Sequence, residues 1–236
     1  MDKQYRDSEL GPIIVRTNAR AKRYSLRVKH GLIVAVMPSG GSEELLFSFI
    51  NQQRSRLKTL LQDAPAKKII SPDIEFKTNT FCLSISLTDR TNFYMRLNSD
   101  EGILHISCPQ PTDFTDPRVQ TLLAGFIEKA LRHEAKRILP ERLRKLAEQH
   151  GFTYSSLRLA NTKSRWGSCS AGQRINLSIA LMLLPDHLID YVILHELCHT
   201  VEMNHSSAFW DIMNLVTENR ALLLRKELKR YSTHIF

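Results

Sequence analysis

Cysteine is scarce and scattered in this chain of 236 residues. The four cysteines, Cys82, Cys108, Cys169 and Cys198, form no close pair, which argues against a thiolate metal site. The opening residues, MDKQYRDSEL, lack the apolar core of an export signal, so a reducing cytoplasmic setting is the expectation. Long apolar runs are missing as well. The longest, IALMLLP at 179–185, stops at a proline far short of the roughly 20 residues that a membrane span needs, so no membrane partner is expected. Neither an internal repeat nor a low-complexity tract is visible. Acidic residues are the minority: 24 Asp and Glu stand against 33 Lys and Arg, a net charge of +9.

What is present is enough for a sizeable core, in one large domain or two small ones, because 42% of the residues are hydrophobic. The alternation of Tyr24, Leu26 and Val28 with Ser25, Arg27 and Lys29 predicts a hairpin within Ile13–Met37, turning at His30-Gly31. Arg16, Arg20, Lys22, Arg23, Arg27 and Lys29 make its other face basic, with no acid between them. Such a face is either a solvated surface or a grip for phosphate groups. Ser42 is placed to cap a helix from Glu43 to Gln62, and 64–72 reads as a linker.

A second β-rich stretch follows in FCLSISL (81–87), NFYMRL (92–97) and ILHISCP (103–109). The prolines from Pro109 to Pro117 set the expected boundary, giving a module over 1–111 and a second over 112–236. The second opens with a helix from about Arg118 to His150, stopped by Gly151 and kinked or split at Pro140. Its charges alternate in sign, the pattern of a solvent-facing helix. Short strands in SLRLAN, RWGSC and RINLSI lead to a helix from Pro185-Asp186, and helices over Ser207–Val216 and Glu218–Tyr231 complete the chain.

The helix from Pro185-Asp186 carries VILHELCHTVEMNH at 192–205. His195 and His199, four residues apart, lie about 40° apart around a helix, so both imidazoles share one face. Glu196 lies roughly 100° round from His195, beside an ion that the histidines hold, where it can take a proton from a bound water. That is the H-E-x-x-H arrangement of zinc hydrolases. The apolar flanks Tyr191, Val192, Ile193, Leu194 and Leu197 bury the helix, and a buried His-Glu-His cluster without a partner is costly. A catalytic zinc takes a third protein ligand and keeps an open position. His205 leads the candidates, with Glu202 and Glu218 as rivals. For His205 to reach the ion the chain must leave the helix, and Asn204, which tolerates a left-handed conformation, stands at the right place. Cys198 lies off the ligand face as a small buried side chain.

YVILHELCHTVEMNHSSAFW at 191–210, preceded by KSRWGSCS at 163–170, resembles the YgjP-type, SprT-like family of predicted zinc metallopeptidases and metal-dependent hydrolases. The spacing also matches metzincins, but Glu202 stands where their pattern has a glycine and no Met-turn follows. The resemblance implies an α+β fold: a β-rich N-terminal module, then a zincin-like C-terminal domain with an active-site helix and a small sheet. It implies zinc, one per chain, on His195, His199 and His205, with Glu196 as general base. Trp166, Gly167 and Ser168 would border the cleft, where a strand edge could pair with an extended peptide. Three functions remain open on this reading. One is peptide-bond hydrolysis. Another is hydrolysis of a nucleotide phosphoanhydride gripped by Arg23 and Arg27 with their neighbour Arg20. The last is nucleic-acid binding or recruitment with the metal as an accessory.

Overall fold

The computed structural model describes residues 3–29, 32–62 and 69–234. The turn expected at His30-Gly31 and most of the linker expected at 64–72 lie outside them. The chain divides into two compact units, residues 1–68 and 69–236. The break thus falls well before the 111/112 boundary that the prolines suggested. Burial is the reason. Leu104, Ile106 and Cys108 alternate inward from the strand before that boundary, into the same apolar cluster as Leu123, Ile127 and Leu131 from the helix after it. A sheet that shares its core with the next helix does not close a domain.

In the first unit, β1 (Lys3–Asp7), β2 (Gly11–Asn18), β3 (Ser25–Lys29) and β4 (Leu32–Pro38) form one sheet in the order β1-β2-β4-β3. β3 and β4 pair antiparallel, as the alternation predicts, while β2 runs parallel to β4 with Ile13 opposite Ile33 and Val15 opposite Ala35. Those four side chains face Leu46, Ile50 and Leu57 in a small core. Strand β1 was not foreseen, because KQYRD has no apolar alternation. Ser42 caps α1 (Glu43–Gln52), its hydroxyl accepting from the amides of Glu44 and Leu45. The single helix expected to Gln62 is interrupted at Gln53, and α2 (Arg54–Gln62) follows. At the break, the Arg54 guanidinium makes paired bonds of 2.8 and 2.9 Å to Asp7 and a third, 2.7 Å long, to Asn51. Arg16, Arg20, Lys22, Arg23 and Arg27 are exposed, as a solvated face would be.

The second unit begins with β5 (Cys82–Thr88), β6 (Tyr94–Asn98) and β7 (Ile103–Pro109), in the order β5-β7-β6. Next comes α3 (Pro117–His150), capped by Asp116 and closed by Gly151 in the left-handed conformation, φ 71°. Pro140 does not split it. That residue sits on the exposed side, where water can satisfy the carbonyl that a proline leaves unpaired. Nor is α3 simply solvent-facing: Leu123, Ile127, Leu131, Leu139 and Leu143 form a fully buried stripe. One of its charges is also buried, the Glu134 carboxylate, which accepts bonds from Ser99 and Arg137.

Then β8 (Ser156–Ala160), β9 (Gly167–Cys169) and β10 (Arg174–Ser178) form a sheet ordered β8-β10-β9. A short 3-10 turn, Ile179–Leu183, leads into α4 (Asp186–Cys198), followed by α5 (Ser207–Val216) and α6 (Ala221–Leu228). The last helix starts later than expected because Glu218 and Asn219 adopt positive φ, 52° and 61°. The chain thus builds one strand triplet three times. In β2-β4-β3, β5-β7-β6 and β8-β10-β9 alike, the first and third strands are parallel and the second lies antiparallel to the third at the edge. No repeat was legible in the sequence, because a topology fixes only alternation and turn positions.

Candidate active site

Helix α4 is apolar nearly all round. Leu188, Ile189, Tyr191, Val192, Ile193, Leu194, Leu197 and Cys198 are all buried, so its few polar residues are held rigidly. His195 and His199 emerge one turn apart, their ring centroids 4.8 Å from each other. The helix then stops: His199 is its C-cap, with φ −68° and ψ −12°. The reversal that follows is not made at Asn204, which does not take the expected left-handed conformation. It is made earlier, by a tight turn in which the Val201 and Glu202 amides donate to the Cys198 carbonyl at 3.1 and 2.9 Å. The Glu202 carboxylate then accepts from the Asn204 amide at 3.2 Å. Hydrogen bonds supply here what a left-handed residue would otherwise supply.

This turn returns His205 to the helix face, with its Nε2 3.1 Å from Nε2 of His195. One ring nitrogen from each of His195, His199 and His205 lies within 4.8 Å of the other two. His199 Nδ1 donates to the Glu202 carbonyl at 3.0 Å, which leaves Nε2 as its lone-pair nitrogen. Burial, reinforced by the neighbouring imidazoles, pushes the pKa of His195 down to about 3, and burial lowers that of His205 too. Neutral imidazole is the ligand form. Fully buried Phe209, from α5, braces the group: it stacks on His199 at 4.5 Å and meets His195 and His205 edge-on at 4.9 and 4.7 Å.

The cluster fits a metal ion. Bonds of about 2.0–2.1 Å at a tetrahedral angle set ligand nitrogens roughly 3.3 Å apart, close to the spacing of the His195 and His205 nitrogens.

Glu196 lies beside the histidines, 5% exposed, and burial pushes its pKa up to about 8 against the opposing charge of Arg165. The backbone of Gly167 in β9 comes right up to it. A Cβ there would fall 2.6 Å from Glu196 Oε1 and 2.7 Å from Cγ, a clash with a buried side chain. Only glycine admits that approach. Two recesses open beside the cluster and share His195, Glu196 and His205. One, of about 310 Å³, is walled by Trp166, Tyr191, Val192 and Leu228 with Arg165 and Arg225. The other, of about 540 Å³, is bordered by Gly167, Ser168, Cys169 and Met203.

The structure therefore gathers Trp166, Gly167 and Ser168 around the three histidines and Glu196. Glu202 contributes its carbonyl and caps the turn, while Glu218 stands exposed on the turn before α6, paired with Arg220. Arg23 and Arg27 belong to the first unit, whereas every residue lining the two recesses belongs to the second. Sequence reasoning missed the roles of Arg165, Phe209 and Arg225. Arg165 and Phe209 lie within the stretches carrying the resemblance; Arg225 gave no signal, since only the placing of α6 brings it to the recess.

A family model described as YgjP-like, metallopeptidase domain, matches residues 22–231. The chain belongs to that family. It is accordingly a metal-dependent peptidase, and the YgjP-like domain includes most of the first unit as well as the site. Among solved structures, the metallopeptidase zymogen of Pyrococcus abyssi, abylysin, aligns over 39% of this chain and 94% of its own, at 21% identity and a TM-score of 0.36. A likeness that slight carries no argument. A search of curated proteins finds no match. Among the described residues of this YgjP-like metallopeptidase, no helix is long and apolar enough to cross a membrane.

Proposed function

We propose that this YgjP-like metallopeptidase is a zincin-like enzyme in which His195, His199 and His205 hold one zinc ion and Glu196 is the general base of peptide-bond hydrolysis. The observation that carries the reading is the convergence of three imidazole nitrogens within 4.8 Å beside a buried carboxylate. Zinc on three neutral imidazoles supplies a Lewis acid and lowers the pKa of water toward neutrality. The donor set favours zinc over harder cations, which prefer oxygen. Glu196 takes the proton of the attacking water on its carboxylate and passes it to the leaving amine. A carboxyl whose proton affinity is raised by burial suits the holding of that proton between the two steps. Strand β9 pairs with β10 on one side only, so its outer edge supports the pairing of an extended peptide along Trp166, Gly167 and Ser168. Nucleotide and nucleic-acid readings gain no such support, because the exposed cations of the first unit have the look of a solvated face.

The test is metal content and activity together, on protein purified without added metal. About one zinc per chain is expected in the parent, and much less in His205→Ala. Glu196→Gln should keep its zinc and lose peptidase activity by about 10²–10⁴-fold. Full activity in Glu196→Gln, or unchanged metal content in His205→Ala, overturns the assignment.

A further inference from the structure

The smaller recess holds a charge arrangement that the hydrolytic reaction does not require. Its walls are apolar, Trp166, Tyr191, Val192 and Leu228, and its one carboxylate, Glu196, sits at the histidine end. Against that stand two guanidinium groups, Arg165 from the loop before β9 and Arg225 from α6. Among the described residues neither arginine pairs with an acid. Arg225 is positioned by Trp210, over whose ring its Cζ lies 5.0 Å from the centroid. Arginine forks match carboxylates in geometry as well as in charge, and in a walled recess such bonds are stronger than in open water. The volume, near the lower limit of small-ligand sites, suits one or two residues.

We infer that Arg165 and Arg225 make this recess a carboxylate-selecting subsite, so that favoured substrates carry a C-terminal carboxylate or an acidic side chain next to the scissile bond. The inference rests on the peptidase reading for its placement beside the cleaved bond, but it can be read by binding alone. Both tryptophans of the chain lie here, Trp166 in the wall and Trp210 under Arg225, so selectively excited tryptophan fluorescence reports on this site.

The experiment titrates zinc-loaded, full-length Glu196→Gln protein with one short apolar peptide in three forms: free acid, C-terminal amide, and amide with a single internal Glu. At least one carboxylate-bearing form should bind about 10-fold or more tightly than the neutral amide, the ratio that charge-assisted bonds produce. The tight form identifies the source, C-terminus or side chain. Adding Arg165→Gln and Arg225→Gln together should bring the forms within about 2-fold of one another, and Arg225→Lys should restore part of the preference. In the otherwise unaltered enzyme the same pair of substitutions should raise KM for the acidic peptide far more than it lowers kcat. Equal binding of all three forms, a preference that survives the double substitution, or binding of a nucleoside triphosphate and of no peptide overturns the inference. Full activity in the Glu196→Gln protein would defeat the general-base assignment instead, and leave the binding preference to be judged by itself.

Discussion

Gly167 and Glu196 are the pair through which the smallest change reaches the chemistry. Gly167→Ala adds one methyl group at a place 2.6–2.9 Å from three atoms of the Glu196 side chain. The carboxylate lies among packed residues of α4 and must shift by several tenths of an ångström. The histidines are not touched. The expected outcome is a fall in kcat of about 10²-fold with unchanged zinc stoichiometry, checked by steady-state kinetics beside metal analysis. A variant that loses zinc in proportion to activity would mean that the methyl group disturbs the ligands and not the base. The resemblance put Gly167 at the border of the cleft; what approaches it there was not legible, because the partner lies 29 residues away in another element.

Elements act on the site as supports. Helix α5 contributes Phe209, whose ring touches all three imidazoles and is wholly buried. Phe209→Ala should cost about 3–5 kcal/mol in unfolding free energy. It should also weaken zinc binding, because the rings lose the wall that orients them; denaturant titration and competition with a chelator check the two effects. In the first unit, the pair between Arg54 of α2 and Asp7 of β1 ties helix to sheet. Hydrogen bonds from the Arg54 guanidinium, the largest influence, hold the Asp7 carboxyl well below the usual carboxylate range. A depressed folded-state pKa contributes stability that is present above the unfolded value of 3.8 and lost as pH falls through the folded one. Asp7→Asn should therefore destabilise the parent by about 1–2 kcal/mol at pH 7, with the gap closing below pH 3.8, as thermal unfolding across pH would record. Elements were the most legible level: β7 and α5 were placed to the residue, and Ser42 began a helix and Gly151 ended one where capping chemistry said they would. The interruption at Gln53 was not legible, since nothing local to that residue breaks a helix and its neighbour's partner is in β1.

At the scale of the whole molecule, the second unit has its own core and every residue of the site. Ile70 begins it firmly, with its amide and carbonyl both bonded to the buried side chain of Gln120. A chain starting at Ile69 should fold and bind one zinc with the affinity of the full protein, as circular dichroism and metal titration would establish; a chain starting at 112, the boundary that the prolines suggested, should not. Deleting β5–β7 exposes the face on which Leu123, Ile127 and Leu131 of α3 are packed. By itself the sequence determined whatever is governed by neighbours a few residues apart: the periodicity of helices and strands, the caps, and the one-turn spacing that puts His195 and His199 on one face. Only the tertiary structure decided what depends on distant segments meeting. It brought His205 back by a hydrogen-bonded turn, set Gly167 against Glu196, carried Arg225 to the recess, and joined the middle sheet to the long helix. Such contacts are chosen by burial and shape across tens of residues, and leave no periodic trace in the chain.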